Sequence, residues 1–144
     1  MRAPAAILAL VALGAAQAAE YRSVADDAAV LYDAPSRAAK PVLIVSKHYP
    51  LEVIVNLEAW VKVRDHTGAL SWIETKSLAE RRMVLVTAPS AEARVRPEDS
   101  APLAFVAAQN VVLELIEVAP AGWLRVRHAD GANGYLRAAL VWGG

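Results

Sequence analysis

The side chains best suited to metal or acid–base chemistry in this sequence are three histidines, His48, His66 and His128. The chain contains no cysteine, which excludes thiolate metal sites, cysteine nucleophiles and disulfide bonds. No histidine has a second histidine within one turn or one hairpin, and no thiol completes a ligand set. We therefore predict no metal site and no cofactor, and we interpret the histidines as solvated turn residues.

Other catalytic patterns are equally weak. Serines such as Ser36 and Ser71 lie outside the strand–turn–helix context of a nucleophile elbow. Residues 131–134 (GANG) precede a predicted strand rather than a helix, which does not suit a phosphate-binding loop. Adjacent carboxylates occur only at 26–27 and 98–99, in segments that resemble loops. The sequence therefore predicts a protein that is not an enzyme.

Two stripes of tryptophan and basic residues are better candidates for ligand binding. Each stripe alternates one tryptophan with two basic residues: Trp60, Lys62 and Arg64 in the first, and Trp123, Arg125 and Arg127 in the second. Tryptophan stacks on sugars or peptides, and the cations form charge-assisted hydrogen bonds with carboxylates. The alternative is an ordinary solvent-facing strand, on which the basic side chains cover a structural tryptophan.

Period-two alternation predicts that these stripes lie on β-strands. Val61 and Val63 alternate with the first stripe and therefore point to the opposite face. Residues 65–68 (DHTG) have turn chemistry, and a strand resumes around Trp72, which together predict a hairpin. We place Trp72 and its second-repeat counterpart in the core. The only segment with a short helical stripe is 78–83.

The hairpin segment occurs twice. Residues 60–68 read WVKVRDHTG and residues 123–131 read WLRVRHADG, so eight positions separate tryptophan from glycine in both. The offset is 63 residues, which is the length of a small domain rather than of a solenoid unit. Short strands and frequent turns predict an all-β chain of two small, partly open β-barrels in tandem, residues 20–80 and 81–144.

The repeats resemble tandem bacterial SH3 domains. The resemblance rests on residues 29–36 (AVLYDAPS), on 60–65 (WVKVRD), on Gly68 with Trp72, and on the second-repeat copies. It covers nearly all of the chain from Tyr21 to Trp142. It implies an SH3-like barrel of five to seven strands in each repeat. It also implies an exported, non-catalytic module that binds cell-wall peptides or protein partners.

Within the first repeat we predict a ligand groove lined by Tyr32, Tyr49 and Trp60, with Lys62 and Arg64 at its rim. Both tyrosines fall in predicted loops near the tryptophan, and aromatic side chains lose little rotamer freedom when they are ordered. SH3-type folds use aromatic grooves of this kind for peptides. The second repeat has arginines in the matching opening motif, so we expect its stripe to be the weaker counterpart.

The N-terminal segment has the pattern of a secretory signal peptide. A basic start at Arg2 precedes an uncharged apolar run, and residues 16–18 (AQA) fit the small-x-small cleavage rule. A membrane anchor is the competing interpretation, but the run is at the short limit for a span and is mostly alanine. We expect cleavage after residue 18, which leaves a secreted, periplasmic protein without a stable membrane span.

Charge narrows the class of partner. Lys plus Arg and Asp plus Glu each number 15, which gives a formal net charge of zero and argues against a nucleic-acid partner. The resemblance to bacterial SH3 domains in turn implies a module that recognises a cell-envelope peptide, such as a peptidoglycan stem peptide, or an envelope protein. The alternative is a structural or assembly protein of the envelope, in which the two barrels form a rigid spacer or a self-association unit.

Overall fold

The structure, a computed structural model, describes residues 2–5 and 18–144 and contains two seven-stranded antiparallel sheets. The first sheet consists of β1 (Glu20–Val24), β2 (Ala28–Tyr32), β3 (Pro41–Ser46), β4 (Pro50–Asn56), β5 (Trp60–Arg64), β6 (Leu70–Glu74) and β7 (Leu78–Ala79). The second consists of β8 (Met83–Val86), β9 (Ser90–Arg94), β10 (Leu103–Ala108), β11 (Val112–Ala119), β12 (Trp123–Arg127), β13 (Asn133–Arg137) and β14 (Val141–Trp142). Short 3₁₀ turns occur at Thr75–Ser77, Pro120–Gly122 and Ala138–Leu140, and the described ranges contain no α-helix.

The two sheets have the same topology. The strand order is β3-β2-β6-β5-β4-β1-β7 in the first sheet and β10-β9-β13-β12-β11-β8-β14 in the second, so each strand has a counterpart seven elements later. The outermost strands, β3 and β7 or β10 and β14, form the edges of an open barrel. The predicted all-β chain of two tandem, partly open repeats is confirmed.

Each sheet encloses its own core. In the first repeat the core includes Val61, Val63 and Ile73, all fully buried. The counterpart core in the second repeat includes Val126 and Leu136. The alternation predicted for residues 60–64 is therefore confirmed, because the valines point inward while Trp60, Lys62 and Arg64 are only half-buried.

Equivalent glycines close the two hairpins. Gly68 and Gly131 adopt φ values of 88° and 94°, a left-handed conformation that glycine reaches without steric cost. The Asp65 N–H donates to the carbonyl of Ala69 (3.0 Å), and the His128 N–H makes the matching bond across the second hairpin. The repeated spacing from tryptophan to glycine thus corresponds to one strand and its turn.

The segment that joins the repeats is extended, so the helical stripe suggested for 78–83 is wrong. β7 pairs with β1, and β8 begins at Met83 as the first strand of the second sheet. The hydroxyl of the buried Ser23 donates to the carbonyl oxygen of Arg81 (2.7 Å) and holds the connection against the first sheet. Strand pairing at both ends and this hydrogen bond favour the extended conformation over a helix.

An aromatic and cationic contact links the two repeats. The ring of Tyr21 on β1 meets Trp142 on β14 edge to face, with 5.3 Å between centroids. The guanidinium of Arg82 lies 5.2 Å from the Tyr21 ring centre and donates to the carbonyl oxygen of Gly143 (2.9 Å). Burial raises the pKa of the Tyr21 hydroxyl. The repeats are therefore in direct contact and not beads on a flexible tether.

We expect Tyr21→Ala to loosen this contact. The joining segment carries Arg81 and Arg82, which are trypsin sites, and a looser contact exposes their backbone more often. Limited trypsin digestion should cut Tyr21→Ala between the repeats several-fold faster than the unmodified protein. Tyr135→Ala, a half-buried tyrosine on β13, is the matched control. Equal cleavage rates in all three proteins would show that the contact does not restrain the junction.

The predicted signal peptide falls mostly outside the described residues. Of residues 1–18, the structure describes only 2–5 and 18. Within the described part, no helix is both long enough and apolar enough to cross a bilayer.

Candidate functional site

The outer face of the first sheet brings three aromatic residues together. Strand register pairs Tyr32 with Trp72 and Trp72 with Lys62, and residues directly opposite each other share a face. The rings of Tyr32 and Trp60 meet edge to face with 5.6 Å between centroids. All of these side chains are half-buried, on the side of the sheet away from the core. We call Tyr32, Trp60 and Trp72 the aromatic face.

The prediction that Trp72 lies in the core is wrong. Ser71 and Ile73 point inward and are buried, so Trp72 between them projects to the outer face. The counterpart Tyr135 projects outward for the same reason. Alternation along β6 carried the signal, but the polar inward residue Ser71 obscured it.

The structure separates Tyr49 from the rest of the predicted groove. The Tyr49 hydroxyl is hydrogen-bonded to Nδ1 of His66, because the β5–β6 hairpin folds this histidine against the tyrosine. Burial raises the pKa of Tyr49. The ring lines a pocket of about 490 Å³ with Asp33 and Leu70, and this pocket includes neither Tyr32 nor Trp60. The predicted three-residue groove is therefore two adjacent features.

Tyr32 is not in a loop, as the sequence suggested, but is the last residue of β2. Its loop begins at Asp33, whose carboxylate accepts a hydrogen bond from the backbone N–H of Lys40 (3.1 Å). A strand position fixes the ring direction, because the neighbouring Leu31 is fully buried on the opposite side. Tyr32 is thus held rigidly beside Trp60.

The two rim cations have different surroundings. Arg64 Nη1 lies 3.2 Å from a carboxylate oxygen of Glu52, which neutralises much of its charge. Lys62 has no ion-pair partner within residues 18–144, the continuous part of the chain that the structure describes. The aromatic face therefore carries one cation free to meet an acidic ligand.

The second repeat presents a different surface. Trp123 is only 5% exposed, and the guanidinium of Arg137 lies 4.2 Å from its ring centre. Arg94 occupies the position of Tyr32, pairing with Tyr135, and donates to the carbonyl oxygen of Ala101 (3.0 Å). Guanidinium groups thus cover the positions where the first repeat exposes rings.

The remaining residues of the second stripe are also engaged. Arg125 lies 5.9 Å from the ring centre of Tyr135. Arg127 is exposed and lies 3.7 Å from a carboxylate oxygen of Glu114. The second stripe therefore offers cations but no open aromatic surface.

Each repeat has one ion pair at the same place in its fold, but the acidic and basic partners are exchanged between the two repeats. In the first repeat Arg37 Nε donates to Glu74 (2.8 Å), and this hydrogen bond raises the pKa of Arg37. In the second repeat Arg137 Nη2 donates to Asp99 (2.7 Å) and lowers the pKa of that carboxyl group. Each pair connects the loop after the second strand of its repeat to the end of the sixth.

His48 and His128 line the same cleft between the repeats, whereas His66 lies against Tyr49. His48 sits in a turn with φ 72°, and Nδ1 of His128 accepts a hydrogen bond from the backbone N–H of Asp130 (3.2 Å). In residues 2–5 and 18–144, no three histidine, aspartate or glutamate side chains converge in a way that could hold a metal ion.

Comparison with known proteins identifies both repeats. Residues 25–80 and 87–143 each match the family model of the bacterial SH3 domain. No curated protein matches the chain.

Several solved structures are similar to the chain. NlpC1 from Trichomonas vaginalis is 15% identical with a TM-score of 0.41, over 90% of this chain and 47% of its own. NlpC2 from the same organism is 15% identical with a TM-score of 0.41, over 88% and 48%. An NlpC/P60 family protein from Bacillus cereus is 18% identical with a TM-score of 0.40, over 84% and 55%. The chain spans about half the length of these proteins.

Proposed function

The chain belongs to the bacterial SH3 domain family, and on this premise we propose that it is a non-catalytic binding module of the cell envelope. Its ligand is a cell-wall peptide, such as a peptidoglycan stem peptide, or an envelope protein. The observation that supports this most is the aromatic face of the first repeat beside the unpaired Lys62. Half-buried rings offer stacking area at little entropic cost, and the free cation selects a carboxylate.

In this proposal Tyr32 and Trp60 form the floor of the site, and Trp72 extends it along β6. Lys62 makes the ionic contact, while Arg64 stays tied to Glu52 at the rim. Tyr49 lies in the adjacent pocket and contacts only a ligand long enough to pass Asp33. Contacts with the second stripe, Trp123, Arg125 and Arg127, are ionic and weaker.

The proposal includes export and the division into domains. Cleavage after residue 18 delivers the protein to the periplasm, where peptidoglycan and envelope proteins are accessible. Residues 20–80 and 81–144 act as two domains in fixed contact, with the first as the main ligand-binding unit.

One observation favours the alternative, a structural or assembly role in the envelope. The edge strand β3 exposes a row of apolar side chains, of which Ile44 is 68% exposed. Open, apolar sheet edges pair readily with other strands. Analytical ultracentrifugation distinguishes the two functions, because a spacer or self-association unit sediments as an oligomer and a binding module does not need to.

We expect the chain without residues 1–18 to co-sediment with purified peptidoglycan sacculi. The bound fraction should fall several-fold as salt rises from about 0.05 to 0.5 M, since salt screens the contact between the half-buried Lys62 and a carboxylate. Lys62→Met should reduce both the binding and its salt dependence. Lys40→Met, which removes an exposed lysine outside the aromatic face, should change neither. No co-sedimentation would contradict a cell-wall peptide as the ligand, and binding by Lys62→Met equal to that of the unmodified protein would contradict the proposed contact.

A further inference from the structure

A cleft lies between the two repeats, on a part of the surface separate from the aromatic face. The turn at Lys47 and His48 forms one wall, and Arg81, Glu114 and the hairpin at Arg127 form the other. These residues line the cationic half of the cleft, which has a volume of about 220 Å³. An apolar half adjoins it, and the two halves together form what we call the inter-repeat cleft.

The cationic half holds more positive charge than its own carboxylate can neutralise. Lys47, Arg81 and Arg127 line it together with one acidic residue, Glu114. One Glu114 oxygen lies 2.9 Å from Arg81 Nη2 and 3.7 Å from Arg127 Nη1. The excess of cations is local, because the chain as a whole has no net charge.

Glu114 shows how a carboxylate sits in this half of the cleft. The hydrogen bond from Arg81 lowers the pKa of Glu114, and the charges of Arg81, Arg127 and His48 lower it further. The surroundings therefore stabilise a carboxylate in its ionised form. Lys47 has no ion-pair partner among residues 18–144 and is left to receive a second carboxylate.

An apolar half continues the cleft beyond Lys47. It has a volume of about 340 Å³, and its walls include Leu43 and Ile44 of the first repeat and Leu85 of the second. Lys47 and Val112 line both halves, so the two are contiguous. A ligand lying in both halves needs a negative group next to an apolar side chain.

We propose that the inter-repeat cleft binds a short acidic peptide, with a carboxylate held between Lys47 and Arg81 and an apolar side chain in the adjoining half. The charge excess and the contiguous apolar walls select this ligand together. Both repeats supply contacts, so the site depends on the repeats staying in contact with each other. The proposal does not depend on the function assigned to the aromatic face.

The test uses the dipeptide dansyl-Glu-Leu as a fluorescent probe and the whole chain without residues 1–18. Lys47→Glu should weaken probe binding by at least about tenfold, since it removes a charge-assisted contact and adds a repulsive charge. Arg81→Gln should also weaken binding of the probe. Arg96→Glu changes an exposed arginine outside the cleft and should bind like the unmodified protein.

Three further results decide the proposal. The neutral dansyl-Gln-Leu-amide should not bind, because it carries no carboxylate for Lys47 and Arg81 to receive. The proposal would be overturned if Lys47→Glu and Arg81→Gln melted normally and still bound dansyl-Glu-Leu like the unmodified protein. Displacement of the probe by inorganic phosphate as effectively as by glutarate would overturn the assignment to carboxylates.

Discussion

Val63→Asp should unfold the first repeat. Val63 lies in the middle of β5, fully buried between Val53 and Ser71 on the neighbouring strands. An aspartate there has no cationic partner, and burying it costs several kcal/mol. The whole stability of a small domain is only about 5–15 kcal/mol, so this repeat cannot absorb the loss. Circular dichroism during heating should show the first repeat unfolded at temperatures where the unmodified protein is folded.

Val55→Asp is the matched control, because Val55 belongs to the same sheet but is 41% exposed. A surface change of this kind alters stability by about 0.5 kcal/mol or less. If Val63→Asp melted at the same temperature as Val55→Asp, this would show that Val63 does not point into the core. It would also show that Lys62, the next residue along the strand, does not point away from the core.

Tyr32→Ala should reduce binding to sacculi by roughly thirtyfold, since truncating an aromatic binding residue typically costs about 2 kcal/mol or more. The ring is half-buried against Trp60, so we expect a stability loss smaller than the ~3–5 kcal/mol of a fully buried aromatic. Co-sedimentation measures the binding, and thermal melting measures the stability.

Two variants control this prediction. Tyr32→Phe keeps the ring and should bind nearly as well as the unmodified protein. Tyr135→Ala removes a half-buried tyrosine from the second repeat and should leave binding intact. Unchanged binding in Tyr32→Ala, or a collapse of its melting temperature, would mean that Tyr32 is a packing residue and not part of a ligand site.

Local patterns predicted the fold well because strands and hairpins are themselves local. Alternation identified which face of residues 60–64 is buried, and the tryptophan-to-glycine spacing identified both hairpins. Each of these features depends on residues only a few positions apart.

The site was harder to predict because its contacts join residues distant in sequence. A hydrogen bond to His66 holds Tyr49 apart from Tyr32, and this bond depends on how the β5–β6 hairpin folds back. Trp123 alternates with basic residues as Trp60 does, yet Arg137 covers its ring. Nothing in the strand sequence itself distinguishes an open tryptophan from a covered one. The sequence did not predict the inter-repeat cleft either, because the residues of its cationic half come from four separate segments of both repeats.

The exchanged ion pairs have a consequence for how a duplicated chain folds. Tandem repeats of one topology can misfold by strand exchange, in which a loop of one copy docks on the sheet of the other. Docking the Arg37 loop on the second sheet places it against Arg137, and docking the Asp99 loop on the first places it against Glu74. Both misdocked arrangements bring like charges into contact, whereas the correct fold pairs opposite charges at both places. These side chains are exposed, so each penalty is small, but both act against the same error and favour correct assembly of each repeat.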